Sequence, residues 1–154
     1  MERTLVILKP SAIERGLIGE IIGRFERKGL FFSGLKMMQL SDALLEEHYA
    51  HLKGKPFFEQ VKSAMQASPV VVGCIEGKEV VQVVRNMCGP TNGREAQSGT
   101  IRGDFSVSVM RNIIHATDLE ENAEKEINRF FKPEELFNYR PVDISFRYGD
   151  DEIE

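Results

Sequence analysis

The chain has little cysteine, no long hydrophobic run and no excess of basic charge. Cys74 and Cys88 are its only cysteines and form no CxxC pair, so a cytoplasmic protein with reduced thiols is expected. The opening stretch, MERTLVILKPSAIERG, holds one short apolar run with charges close on both sides. It reads as neither a secretory signal nor a membrane span. Lys and Arg number 20 against 24 Asp and Glu, for a net charge of −4 and a pI of about 5.5. That balance argues against specific nucleic-acid binding through a broad basic face. Two phosphate-binding signatures are also missing. A P-loop needs G-x-x-x-x-G-K-[ST]. The nearest approach, GCIEGKE from Gly73 to Glu79, is one residue short and ends in Glu79 where a hydroxyl is required. G-x-G-x-x-G is absent. In GLIGEIIG the glycines Gly16, Gly19 and Gly23 are spaced differently and read as helix packing sites. The three histidines, His48, His51 and His115, have no metal-ligand spacing with neighbouring cysteines or acids.

What is present describes one ordinary domain over residues 1–154. Hydrophobic residues make up 42% and charged residues 29%, enough for a sizeable core. There is no repeat, linker or low-complexity tract. TLVIL (4–8) reads as a buried strand closed by Lys9-Pro10, and Ser11 and Glu14 of SAIE as a capping box. Ile18, Ile21, Ile22 and Phe25 share a helical face that Gly29 terminates. LFFSGLKMMQL is a strand, and Ser41 caps a helix with Leu44, Leu45, His48 and Leu52 on one side. PFFEQVKSAM is a short helix and PVVVGCIEG a strand. EVVQVVRNMCG carries β-branched valines, but Val80, Val81, Val84 and Cys88 have helical spacing and Gly89 is a stop, so a helix is expected. GPTNGREAQSGTIRGDF (89–105) has no apolar period, and a loop of that length in a compact domain is usually functional. NIIH is a short strand. Thr117 and Glu120 then form a second capping box, opening a helix with Leu119, Ala123, Ile127 and Phe130 on its apolar face. Strands alternate with helices, which leaves a doubly wound parallel sheet and a split βαβ, ferredoxin-like sandwich both open.

NIIHATD (112–118) raises the sharpest question, because an apolar run ends on an imidazole. His115 could be a satisfied core residue or a nucleophile. Glu126 lies on or beside the buried stripe of the following helix, and a buried carboxylate needs a partner. Bonded to one ring nitrogen of His115, it would fix the tautomer and leave the other nitrogen bare. Free imidazole has a pKa of about 6.5, so it is substantially neutral at pH 7 and needs no strong base to become nucleophilic. Cationic and donor groups gather in and around the long loop: Arg85, Thr91, Asn92 and Arg102 suit phosphate oxygens. Lys9 ends an apolar strand, where ligands collect in α/β folds. Taken singly, these residues also fit ordinary surface ion pairs, and His115–Glu126 also fits a purely structural bond.

LVILKP, HYAHLKGKPFF, GTIRGDF, NIIHATD and KPEELFNY, in this order, closely resemble nucleoside diphosphate kinases. The resemblance runs from about Thr4 to Tyr139. It implies an α+β fold, a ferredoxin-like βαββαβ sandwich whose four-stranded antiparallel sheet is covered by helices. It implies γ-phosphate transfer from a nucleoside triphosphate to a nucleoside diphosphate, with Mg²⁺, in a cytoplasmic homo-oligomer, a hexamer or a tetramer built from dimers. By resemblance His115 takes the phosphate on Nδ1, Glu126 orients the ring, and the Thr117 hydroxyl supports Glu126. Lys9 corresponds to the lysine on the phosphates and Tyr49 to the tyrosine near the histidine. Phe57 corresponds to the phenylalanine under the base, Arg85, Arg102 and Thr91 to phosphate ligands, and Asn112 to the asparagine at sugar and phosphate. Asp118 would reach Mg²⁺ only through water. Four features depart from the pattern: Ala116-Thr117 where Gly-Ser is common, Ser11 for Asp, Gly93 for Pro, and the tail RPVDISFRYGDDEIE. A module of the same fold that binds ATP without transferring phosphate is the alternative, and the complete set of cleft residues speaks against it.

Overall fold

The computed structural model describes residues 1–153. Four strands, β1 (Glu2–Leu8), β2 (Phe31–Met38), β3 (Val70–Gly77) and β4 (Ile114–Ala116), form one sheet in the order β2-β3-β1-β4. Every neighbouring pair is antiparallel, which excludes the doubly wound alternative and leaves the split βαβ, ferredoxin-like sandwich. The helices are α1 (Pro10–Glu14), α2 (Ile18–Lys28), α3 (Asp42–His48), α4 (Phe58–Met65), α5 (Val80–Cys88), α6 (Ile101–Phe105) and α7 (Glu120–Phe130).

Both faces of the sheet are buried, and strand alternation assigns the residues. Val6 and Leu8 pack with α2 and α5 on one face, together with Ile114 and Ala116. Leu5 and Ile7 pack on the other with Leu45 of α3 and Ile127 and Phe130 of α7. Because Ile7 pairs directly with His115, the imidazole falls on the α3–α7 face. The apolar run of β1 is therefore continuous because the strand is central and covered on both sides.

Most element expectations hold. Gly29 adopts φ +103 at the end of α2, where only glycine is unstrained. The Ser41 hydroxyl accepts from the Leu44 amide, and the valine segment is α5. Five readings need correction. Ser11 lies inside α1 rather than at its cap; Lys9 is the cap residue and Pro10 opens the helix. Thr117 does not cap α7, which starts three residues later with Leu119 at the cap position; its hydroxyl is drawn to Leu5 and Glu126 instead. Leu119 is half exposed and leaves the apolar stripe to Ala123, Ile127 and Phe130. Gly16 is a left-handed turn residue at φ +67, and a Cβ on Gly16 or Gly19 would meet nothing, so these are not packing sites; at Gly23 only the flexible end of Arg27 is near. The long segment is not loop throughout, since its last five residues form α6, capped by the Thr100 hydroxyl on the Gly103 amide.

Gly93, one of the departures, has a steric reason. A Cβ there would collide with the Ser106 carbonyl oxygen, so the loop packs backbone against backbone. Gly93→Ala should cost about 1–3 kcal/mol through overpacking, read as a lowered midpoint in denaturant with an unchanged slope.

Candidate active site

One β-branched residue holds an unusual conformation two positions before His115. Ile113 is at φ +75 and is fully buried, and the Ile114 amide donates back to the Asn112 carbonyl at 2.8 Å. This is a γ-turn of the strained hand, costing about 1–3 kcal/mol. Its surroundings hold it. Arg102, 4% exposed, spreads its guanidinium over three carbonyls: Nε to Asn112 at 3.1 Å, Nη1 to Gly89 at 2.7 Å and Nη2 to Ile114 at 2.5 Å. The Lys9 amide donates to the Ile113 carbonyl at 2.9 Å. The turn ends one residue before the nucleophile candidate and fixes where β4 begins.

His115 Nε2 lies 2.7 Å from Glu126 Oε1. A carboxylate accepts, so Nε2 carries the proton and Nδ1 is the bare nitrogen. The Thr117 hydroxyl is within 3.3 Å of the same carboxylate oxygen, while the Leu5 amide donates to it at 3.3 Å. Thr117 thus ties Glu126 to the central strand. Burial lowers the His115 pKa below the usual imidazole value, and the bond to Glu126 opposes this without reversing it. The ring is therefore neutral at pH 7. Ala116 pairs with Val6 and packs with it in the core of the opposite face, so its methyl group points away from the imidazole. The Ala-for-Gly departure leaves the ring undisturbed.

His115 and Glu126 line a cavity of about 480 Å³ together with Lys9, Tyr49, Arg85, Thr91, Arg102, Asn112 and Asp118. An adjoining apolar cavity of about 290 Å³ is lined by Phe57, Leu52, Val61 and Met110 and shares Lys9, Tyr49, Thr91 and Asn112 with the first. The residues singled out in the sequence thus line this two-part cleft, with two exceptions: Thr117 is fully buried behind Glu126, and Asn92 lies outside it, its Oδ1 accepting from the Arg94 amide at 3.2 Å. Lys9 Nζ donates to Asn112 Oδ1 at 2.7 Å; burial, and secondarily Arg102, lower its pKa to about 8. Burial and the Glu126 charge hold Tyr49 up at about 12, so its phenol stays protonated. Asp118 accepts from Asn122 Nδ2 at 3.0 Å and from the Leu119 amide at 2.9 Å, which keeps it below the ordinary carboxylate range.

Several residues of the cleft escape the sequence reading, among them Lys125, Asn122, His48 and Arg129. His48 was assigned to an apolar helix face, and it is indeed buried, but against the His115 ring. Arg129 follows Glu126 by three residues, so helical spacing alone could have brought it to the same face.

A cationic cleft with an apolar end, on a ferredoxin-like sandwich, is the architecture of a nucleotide phosphotransferase. The chain belongs to the nucleoside diphosphate kinase family: the family model described as "Nucleoside diphosphate kinase" matches residues 2–136. It is 56% identical over 153 residues to the nucleoside diphosphate kinase of Parabacteroides distasonis, covering 99% of this chain and 100% of that one. It is 51% identical over 152 residues to that of Pyrococcus horikoshii, covering 96% and 97%. Among solved structures, a halophilic nucleoside diphosphate kinase from Halobacterium salinarum in complex with CDP superposes with a TM-score of 0.93 at 40% identity, covering 96% of this chain and 98% of that one. The Encephalitozoon cuniculi enzyme gives 0.91 at 41%, covering 96% and 100%. The chain is therefore an enzyme of nucleotide phosphotransfer.

The lowered Lys9 pKa has a binding consequence. Its ammonium charge is present below a pH of about 8 and is lost above it. ADP affinity, titrated by calorimetry, should weaken as the pH rises through that value. Lys9→Ala should bind more weakly at neutral pH and flatten the dependence.

Proposed function

We propose that the chain moves the γ-phosphate of a nucleoside triphosphate, typically ATP, to a nucleoside diphosphate by a ping-pong route through phospho-His115. The observation that supports this most is the 2.7 Å bond between His115 Nε2 and Glu126, which leaves Nδ1 bare at the cleft. The Nδ1 lone pair attacks the γ-phosphorus in line. The bond to the β–γ bridging oxygen breaks, and the diphosphate leaves with that electron pair. A second diphosphate enters, its terminal phosphate oxygen attacks the same phosphorus, and the P–N pair returns to Nδ1. Glu126 stabilises positive charge that develops on the ring, and Thr117 holds Glu126. Lys9, Arg85 and Arg102 face the phosphoryl oxygens, with Thr91 and Asn112 as further donors. Of the five guanidinium N–H groups of Arg102, three are taken by carbonyls, which leaves two for a phosphate.

Phe57 supports the base by stacking. The apolar lining around it offers few polar readers, so all common bases are accepted. The CDP held by the halobacterial relative fits the same reading. As to metal, no group of three or more His, Cys, Asp or Glu among the described residues could hold one. Asp118, ionised across the working range, is the side chain suited to face a hydrated cation. That donor set fits Mg²⁺ arriving on the nucleotide. Bound there, Mg²⁺ would neutralise charge on the phosphate oxygens, with Asp118 facing its hydration shell.

Assembly as a homo-oligomer, a hexamer or a tetramer built from dimers, is part of the proposal. Exposed Leu35 and Met37 on the edge strand β2 and exposed Val107, Val109, Phe137 and Phe146 support it. A cytoplasmic setting is supported by the free, buried thiols Cys74 and Cys88. Among the described residues no helix is long and apolar enough to cross a membrane.

Incubation with γ-labelled ATP and magnesium should place an acid-labile, alkali-stable label on the protein that GDP discharges. Absence of label, or equal label on His115→Ala, would refute the transfer reading in favour of simple ATP binding. Glu126→Gln should label at least about tenfold more slowly with ADP affinity nearly unchanged. Because Glu126 raises the His115 pKa, the acid limb of the rate profile should move to lower pH in that variant. A limb that stays in place or moves upward would show that the carboxylate does not act on the ring.

A further inference from the structure

His48 and Arg129 line the cleft, and the route above uses neither. His48 is the last residue of α3 and is 8% exposed. Its ring stands edge-on to that of His115, with centroids 4.6 Å apart and an interplanar angle of 81°. Phe130 and Tyr49 pack against it at 5.1 and 4.8 Å, so it has little freedom of its own. Arg129 Nη1 lies 2.8 Å from His48 Nδ1. A guanidinium only donates, so Nδ1 must accept and the proton of His48 sits on Nε2. Arg129 also pairs with Glu47, its Nε 3.4 Å from Oε1, a contact of opposite charges in which the buried Nε makes no hydrogen bond.

The need for such a device follows from the His115–Glu126 bond. A single hydrogen bond restrains one corner of a flat ring and leaves it free to pivot about that corner. In-line attack demands that Nδ1 be held within a few tenths of an ångström, and small misplacements cost large factors in rate. A rigid wall on the side of the ring supplies the missing restraint.

We propose that His48, locked in its Nε2–H tautomer by Arg129, is a positioning residue that holds the His115 imidazole at its angle of attack. Arg129 acts through His48. The wall is also uncharged: burial, with His115, Arg129, Lys9 and His51 around it, pushes the His48 pKa far below the imidazole range. His48 itself therefore adds no charge beside the imidazole.

The inference rests on phospho-His115, and the experiment separates the two. Single-turnover labelling from saturating γ-labelled ATP is followed by rapid quench, with ADP affinity and thermal unfolding measured alongside. His48→Phe keeps the ring and removes the acceptor; Arg129→Met removes the donor. Each should slow labelling about tenfold with ADP affinity within about twofold of wild type. The double variant should be no slower than the slower single one, and Arg129→Lys should recover part of the rate. Folded variants that label at the wild-type rate, losses confined to ADP affinity, or additive losses in the double variant would overturn the proposal while leaving phospho-His115 intact. A wild-type protein that takes no label would overturn both. Should His48→Phe fail to fold, nitrogen-15 spectra of the wild-type histidines decide: protonated Nε2 and bare Nδ1 at His48 across pH 6–8 support the lock, and the other tautomer sinks it.

Discussion

Arg102 is the constraint on which the site depends. Its buried guanidinium gathers the carbonyls of Gly89, Asn112 and Ile114, drawn from the end of α5 and from both sides of a strained turn. Charge-assisted hydrogen bonds of this kind contribute about 1.5–3 kcal/mol each, enough together to outweigh the strain at Ile113. An isoleucine at φ +75 would otherwise relax toward ordinary extended backbone. Relaxation would shift the register of the three-residue strand β4 and carry His115 with it. The residue that resemblance assigns to the phosphates is thus also the clamp of the backbone that aims the His115 imidazole.

From that clamp the arrangement spreads through the sheet. β1 presents Leu5 and Ile7 to the α3–α7 layer and Val6 and Leu8 to the other. The pairing of Ile7 with His115 decides which helices can reach the imidazole. α7 supplies Glu126 and Arg129, and α3 supplies His48. Neutral rings and one carboxylate surround His115, while the cations stand at the cleft wall. Burial acts the same way throughout. It lowers the pKa of Lys9, His48 and His115 and raises that of Tyr49. The site is tuned by exclusion of water as much as by charge.

The periodic elements were legible because their causes are local. Valines at helical spacing ending on Gly89, and isoleucines one turn apart ending on Gly29, behave as helix-forming and helix-stopping rules require. Sheet direction was illegible from pattern, since strand alternation with helices fits parallel and antiparallel sheets alike; the resemblance supplied it. The two capping boxes failed for different reasons. At Ser11 the Lys9-Pro10 step starts the helix earlier. At Thr117 a tertiary partner, the Glu126 carboxylate, drew the hydroxyl away from the local amide. The pairing of His115 with Glu126 could be argued from a buried carboxylate needing a partner. The strained turn, the three carbonyls of Arg102 and the His48–Arg129 lock could not. Each depends on contacts between distant segments that leave no trace in spacing.

The site is also drawn from opposite ends of the chain. Lys9 meets Asn112 across 103 residues, and Leu5 meets Thr117 across 112. β1 is made first and sits between β3 and β4, so one of its hydrogen-bonding edges waits for residues 70–77 and the other for residues 114–116. Such distant pairing slows folding, since loop closure must precede the contacts that reward it. It also means that before β4 docks the Arg102 clamp lacks its Ile114 carbonyl and the imidazole has no fixed direction, so fold and site are completed together.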